Sequence, residues 1–463
     1  METDGLSTCV IGQGYVGLTL TSVMVRSGYD VLGVEKDPER LQKLQAGEPH
    51  FEERGLEETI QSHQSMGRLR FRQSLEGLNA SEYSIYIIAV GSPLEGGKPD
   101  TSALESAVDE TANVVEPGDT VIIRSTISVG TADRMLDRLI TQSSLDSRQQ
   151  LYYLQAPERT VQGDALAEIR DLPQIVGGYN EASTNRGAEI FSEISDVIID
   201  VDSLEAAEMI KLFDNTYRDI NIAIGNAFGQ IARQHGLDGQ QLIKLANSGY
   251  GRNNIKQPGA GVGGGCLPKD PYLLIESMET AAGDGLDSEV RQLIETGRQI
   301  NESMPEVTLS QANEALQRTG RESNTKTLVL GVAFKGRPTT NDTRNTPAEP
   351  VIEGLSEYGT VDAYDPDVED WKIESLGANP VSPDSELTGL FEERTYDLVA
   401  LLNNNPAFED IDLYRTYQGM AEEPIIVDGW DVFPTRTVID LGFHYEVVGG
   451  VSYDPTTSDT SGE

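Results

Sequence analysis

The stretch "STCVIGQGYVGLTLTSVMVRSGYDVLGVEKD", residues 7–37, constrains the fold more than any other part of the chain. An apolar run from Thr8 to Ile11 meets three glycines, Gly12, Gly14 and Gly17, after which Leu18 to Ser27 has helical spacing and Val31 to Val34 is apolar again. Strand, glycine turn, helix, strand is a crossover unit, and such units build parallel sheets with helices on both faces. The runs "YSIYIIAVGSP" and "DTVIIRSTISVG" supply further strands that end in small or hydroxyl residues. A second alternating region opens at "TKTLVLGVAFKG", Thr325 to Gly336, and continues through "GTVDAYDP", "YDLVALLNNN" and "EPIIVDGWD". Between the two regions lies a proline-free helical pattern from Ser203 to His235, which at 1.5 Å per residue spans roughly 50 Å. The predicted fold is α/β: two Rossmann-like doubly wound parallel-sheet domains joined by a long central helix.

The expected domains are residues 1–200, a central helical and dimerisation segment 201–315 that carries a catalytic loop, and a second Rossmann-like domain 316–450. The polar run Gln317 to Asn324 marks a boundary, and the acidic tail 451–463 is expected to be disordered. Lys and Arg number 35 against 76 Asp and Glu, a net charge of −41. Self-repulsion on that scale calls for screening by salt, so the surface reads as that of a halophilic protein. No basic face offers itself to nucleic acid. No run is apolar enough to span a membrane, and the start "METDGLS" is no signal peptide, so a cytoplasmic location is expected. Two distant cysteines and four isolated histidines give no metal spacing.

Two motifs point to chemistry. Gly12-Gln13-Gly14-Tyr15-Val16-Gly17 is a G-x-G-x-x-G between strand and helix, where glycine lets a pyrophosphate approach the free N–H groups of the helix start. Glu35 ends the next strand, 18 residues after Gly17; its carboxylate accepts from a ribose hydroxyl and repels a 2′-phosphate, which favours NAD over NADP. Arg40 either meets the same adenosine end or is a solvated surface cation. The second motif is "GAGVGGGCLPKDP", Gly259 to Pro271. Cys266 there follows five glycines and precedes Lys269 and Asp270, a setting for a polarised, nucleophilic thiol rather than a core residue. Lys211 and Asn215, at i and i+4, share one helix face; spacing alone would make them an exposed polar stripe.

"IGQGYVGL", "STISVGT", "APER", "KLFDNTYRDINIAIGNAF", "GAGVGGGCLPKDP" and "FKGRPTTNDTRNTPA" follow in the order in which they occur in the UDP-glucose/GDP-mannose dehydrogenase family, and the chain resembles that family from Ser7 to Gly450. The resemblance implies NAD-dependent, four-electron oxidation of a UDP-sugar at C6, from alcohol to carboxylate, through a cysteine thiohemiacetal and thioester. It implies Cys266 as nucleophile, Lys211 as the cation for developing oxyanions, Asn215 as its aid, and Asp270 as the group that orients water or tunes Lys211 and the thiol. Thr126 and Glu158 match positions that hold a catalytic water and move protons; the base of the alcohol step stays open among Lys211, Asp270 and Glu158. Lys335 and Gly263 would meet the substrate, Arg344 the cofactor phosphates, with Ser92 and Thr126 beside the cofactor. Arg252 matches an arginine that in relatives reaches a neighbouring subunit's sugar nucleotide, which implies a homodimer or higher homo-oligomer about the long helix.

Three departures stand out: serine in Val90-Gly91-Ser92-Pro93 where relatives have threonine, Glu35 for aspartate, and Asn341-Asp342 for Asp-Asp. "PER" followed by "TVQG" resembles members that oxidise UDP-N-acetylhexosamines such as UDP-N-acetyl-D-mannosamine, whereas "CLPKD" resembles UDP-glucose 6-dehydrogenases. GDP-mannose is a more distant substrate. A two-electron hydroxyacid dehydrogenase would share the glycine motif but need no Cys266, and a redox-inactive nucleotide-sugar sensor would need neither Cys266 nor Lys211.

Overall fold

The computed structural model of the chain describes residues 7–280, 287–321, 323–383, 386–391 and 395–455. The chain divides into two compact units, Met1–Asn215 with Lys269–Gly285, and Thr216–Pro268 with Leu286–Glu463. The helix Leu204–Gln234, within a residue of its predicted ends, starts in the first unit and finishes in the second. The expected separate middle segment, 201–315, is thus divided between the two units.

The strands of the first unit are β1 (Ser7–Ile11), β2 (Asp30–Val34), β3 (Leu69–Arg72), β4 (Ile85–Ile88), a two-residue hairpin pair β5 (Leu94–Glu95) and β6 (Lys98–Pro99), β7 (Thr120–Ile123), β8 (Tyr152–Gln155), β9 (Gln174–Gly178) and β10 (Ile198–Val201). Its main sheet runs β10-β9-β8-β7-β4-β1-β2-β3. The six strands from β3 to β8 are parallel; β9 turns antiparallel to β8 and carries β10 parallel to itself at the edge. Successive residues of a strand face opposite sides. Cys9, Ile11, Ile88 and Val121 accordingly join Leu104 and Leu136 in one core, and Val10, Ile87 and Ile122 join Leu18 and Leu20 in the other. Burial on both faces is why β4 reads Ile-Tyr-Ile-Ile without alternation.

The second unit repeats the plan. Its strands are β11 (Thr325–Leu330), β12 (Gly359–Tyr364), β13 (Asn379–Pro380), β14 (Leu398–Leu401), β15 (Ile425–Asp428), β16 (His444–Val447) and β17 (Ser452–Tyr453), in the order β13-β12-β11-β14-β15-β16-β17. Only β17 is antiparallel. Both sheets therefore reverse direction of growth beside their first strand, which opens a crevice at the strands' carboxyl ends where such folds bind ligands.

Three differences from the sequence reading have local causes. The first helix starts at Tyr15, not Leu18, because extended Gly14 is its N-cap inside the glycine motif. The Gln317–Asn324 run separates no units: the helix Asp287–Arg318, which contains Pro305, ends within it and hands directly to β11 of the same unit. The tail expected to be disordered begins with β17, whose Ser452 pairs with Glu446 and donates its hydroxyl to that buried carboxylate; residues 456–463 lie outside the described residues. No helix among the described residues is long and apolar enough to cross a membrane.

Candidate functional site

The glycine motif of the first unit is shaped by close approach. Gly12 has φ +89°, and a Cβ on Gly17 would stand 1.8 Å from the Gly12 carbonyl oxygen, so strand and helix meet backbone to backbone. At Gly14 a Cβ would meet nothing within 4 Å. Two glycines are thus demanded by packing, while the third leaves space above the helix start, as a pyrophosphate requires. Glu35, buried at the end of β2, accepts from the Gln13 N–H at 3.2 Å and the Asp37 N–H at 3.0 Å. These residues fit the adenosine and pyrophosphate portions of NAD. Val16 lies in the first turn of the helix. Tyr15 directs its hydroxyl to Glu53, and the Gly163 N–H donates to that hydroxyl at 3.2 Å. Its ring therefore ties the 158–163 loop to the helix start. Arg40 is half exposed, 3.9 Å from Asp37.

Also in the first unit, the long helix carries Lys211 and Asn215, and Asn215 meets Asp270, the first residue of the helix Asp270–Thr280. Lys211 and Asn215 are buried rather than exposed, which reverses the expectation from spacing alone, and Asp270 is buried as well. Asn215 donates to Asp270 Oδ2 at 2.5 Å, while Lys269 Nζ donates to Asp270 Oδ1 at 2.7 Å and to Ser92 Oγ at 3.3 Å. Ser92 in turn donates to the carbonyl oxygen of Thr126 at 2.5 Å. Adjacency in sequence pointed to Lys269 as a charge polarising the thiol; its ammonium is instead committed to Asp270 and Ser92.

Glu158 is buried and heavily bound. Arg124 Nη2 donates to its Oε2 at 2.6 Å, and the N–H groups of Arg159 and Thr160 donate to Oε1 at 2.7 and 2.9 Å. Burial opposes the charge, but the Arg124 guanidinium and these donors outweigh it and hold the Glu158 carboxyl below the usual carboxylate range. Arg124, fully buried, also donates to Gln174 and to the carbonyl of Ala156. Sequence reasoning missed it, although an arginine closing the apolar run "TVII" was a signal that something anionic must lie within reach.

In the second unit, the cysteine loop is clamped onto the 334–347 segment. The Gly264 N–H donates to Arg344 O at 2.9 Å and Asn345 Nδ2 donates to Gly264 O at 3.0 Å. A Cβ on Gly263 would lie 2.4 Å from Asn345 O, and one on Gly265 would lie 3.0 Å from Arg344 Nη1. Cys266 is exposed. The charge that interacts with it inside its own unit is Arg344, held by a two-point fork to Asp342 with Nη2 at 2.6 Å. That fork gives Asp342 a structural role; nothing in the structure explains Asn341 in place of aspartate. Lys335 lies 5.7 Å from the Phe334 ring centroid, and exposed Arg252 lies 5.8 Å from that of Tyr250. The second cysteine, Cys9, is buried in β1, where burial pushes its thiol far up and keeps it inert. Among the described residues no three His, Cys, Asp or Glu side chains are grouped to hold a metal.

Three models of the UDP-glucose/GDP-mannose dehydrogenase family match in chain order: the NAD binding domain over residues 6–195, the central domain over 205–303 and the UDP binding domain over 328–435. The UDP-N-acetyl-D-mannosamine dehydrogenase of Pyrococcus horikoshii is 33% identical over 442 residues, 95% of this chain and 98% of that protein. The protein of the same name from Methanocaldococcus jannaschii is 32% identical over 458 residues, 97% and 98% of the two chains. The solved structure of the UDP-D-ManNAc dehydrogenase from Pyrococcus horikoshii superposes with a TM-score of 0.83 at 32% identity, over 96% of this chain and 99% of that one.

Two outcomes follow from this geometry. Gly17→Ala should lower the melting temperature sharply, whereas Gly14→Ala should leave it nearly unchanged and weaken NAD binding by calorimetry; equal melting temperatures would contradict the packing argument. Because the Glu158 carboxyl is depressed, its stabilisation is full above the unfolded value near about pH 4.3 and is lost as pH falls through the lower folded value. Glu158→Gln, which removes the negative charge facing the buried Arg124 guanidinium, should cost about 3–5 kcal/mol at neutral pH in urea unfolding and lose less stability than the wild type on acidification.

Proposed function

The chain belongs to the UDP-glucose/GDP-mannose dehydrogenase family and is an NAD-dependent nucleotide-sugar dehydrogenase; from that premise we propose that it oxidises the C6 alcohol of a UDP-N-acetylhexosamine, UDP-N-acetyl-D-mannosamine in first place, to the carboxylate through a thioester on Cys266. The observation that carries the chemistry is an exposed thiol on a glycine loop four residues of chain before Asp270, whose carboxylate is joined to Asn215 on the helix that also bears Lys211. The substrate assignment rests on relatives over 30% identical along nearly the whole chain that carry that name and on the "PER" and "TVQG" sequence.

NAD would be held by Gly12 to Gly17 and Glu35 with Ser92 and Arg344 assisting, and would supply the hydride acceptor, one molecule for each of the two oxidations. The alcohol first gives its proton through Asp270 to solvent and a hydride to the nicotinamide acceptor, which leaves the aldehyde. Lys211, buried on the long helix, supplies the cation beside the developing oxyanion. Glu158, held below the usual carboxylate range by Arg124 and two N–H donors, stays an anion that orders its loop. An aldehyde gives up a second hydride only after a nucleophile has added, so the Cys266 sulfur bonds to C6 and forms the thiohemiacetal. Loss of hydride and proton leaves the thioester; water beside Thr126, with Asp270 accepting its proton, cleaves the C–S bond and returns the thiol with the carboxylate. Lys335 and Gly263 face the substrate.

The long helix leaves Tyr217, Ile224, Phe228 and Ile231 exposed at 41–60%, a stripe at spacings of 7, 4 and 3. We assign it to a second copy of the chain, with Arg252 reaching the neighbour's substrate.

NADH formation by purified protein in molar KCl, which screens the acidic surface, should give two NADH per UDP-N-acetyl-D-mannosamine consumed and none with UDP-glucose; one NADH per sugar would exclude the thioester route. Cys266→Ala should bind the sugar but make no acid. Sedimentation in the same salt should show a dimer, and a monomer would remove the interface.

A further inference from the structure

We propose that Glu208 is a positioning residue that sets Thr126 against Lys211 and Asn215. The inference rests on the proposed roles of those three residues. Glu208 lies on the long helix three residues before Lys211 and seven before Asn215, so the three share one face. It is 1% exposed. Its Oε2 accepts from the Gly130 N–H at 2.6 Å and its Oε1 from the Ala132 N–H at 2.7 Å. Those donors open the helix Thr131–Gln142, whose own N-cap, Gly130 at φ +84°, has no side chain to cap it. Glu208 supplies the cap from another element, at a helix start where a carboxylate is favoured.

The loop so held, Ser125 to Gly130, carries Thr126, and just before Gly130 it is also tied to the helix that begins with Asp270. The Val129 N–H donates to Ser277 Oγ at 2.9 Å, and Ser128 donates to Glu276. The Asp270 end of that helix binds Asn215. The links form a closed ring: the long helix through Asn215 to Asp270, the Asp270 helix through Ser277 to Val129, and the loop through Gly130 and Ala132 to Glu208. Each element in the ring bears at least one proposed catalytic residue, and breaking one link frees the loop to shift.

Burial pushes the Glu208 carboxyl up to about 8 against its two N–H donors, with Glu205 adding repulsion and Arg134 opposing it. An apolar residue would avoid that penalty, since buried charges seldom serve stability. Geometry is what the carboxyl group supplies: two oxygens at fixed separation that accept from two N–H groups, where glutamine offers one oxygen and leucine none.

The test compares Glu208→Gln, Thr126→Ala and the double variant for NADH formation with UDP-N-acetyl-D-mannosamine. Glu208→Gln should lower kcat about 10–100-fold, the scale of a misplacement near 1 Å, with both KM values held within about twofold. The double variant should be no slower than Thr126→Ala alone, because residues that act through one another are not additive. Ser277→Ala, which loosens the same loop at Val129, should show a smaller loss with the same non-additivity, and carries the test should Glu208→Gln fail to fold. Full kcat in a folded Glu208→Gln beside an impaired Thr126→Ala, or losses that multiply in the double variant, would overturn the role of Glu208 alone. Full kcat in Thr126→Ala would remove the role of Thr126 and this inference with it. An inactive wild type would sink only the substrate assignment and move the same comparison to UDP-glucose.

Discussion

The carbonyl oxygen of Gly12 lies where a side chain on Gly17 would begin, and the first unit is organised around that contact. With no Cβ between them, the helix Tyr15–Arg26 lies directly against the end of β1, and its unpaired N–H groups point into the crevice beside β1 and β4. The same approach brings the Gln13 N–H within reach of Glu35 on β2. A dinucleotide site therefore results from backbone packing before any side chain has been chosen to contact a ligand. The second unit has the same strand order but no such turn. Gly331 has φ +88° after β11, and Asp365, at the end of β12, spends its Oδ2 on Val332, Ala333 and Asn403. One fold has thus been used twice with different ends.

Both units handle charge in a similar way. A net charge of −41 spreads over the surface, yet the carboxylates taken inside are each bound. Glu158 has Arg124, Asp219 has Arg298 at 2.6 Å, and Glu446 is gripped by Arg233 and Arg318. Each joins elements remote in sequence, so the expense of burial is repaid in orientation more than in stability. The pair Asp219 and Arg298 shows this: Asn301 binds Asp219, Asn226 binds Asn301, and the Gly259 N–H at the start of the cysteine loop binds Asn226 at 3.0 Å. The loop that carries the thiol is thereby referred to two helices.

Much of the fold was legible in the sequence because its signals are local. Apolar runs buried on both faces, a glycine turn ahead of a helical spacing, and 31 helical residues without proline are properties of near neighbours. The 32-residue helix Asp287–Arg318 was not read, because Pro305 and a polar face broke the pattern that marks a helix of the core. In the site, Gly12, Gly17, Glu35 and Cys266 stood out by motif. Arg124 and Glu208 did not, since a charged residue in an apolar setting announces a partner without naming it.

By itself, then, the sequence determined the order of strands and helices, the glycine turn, and an exposed cysteine among glycines, all fixed by periodicity and backbone freedom within a few residues. The tertiary structure alone decided that Lys211 and Asn215 are buried, that Lys269 serves Asp270 and Ser92, and that Arg344 is the cation beside Cys266. Spacing along a helix fixes which residues share a face but not what covers it. Among 35 cations and 76 anions, pairing is settled by which elements the folded chain brings within about 3 Å, a property of no single segment.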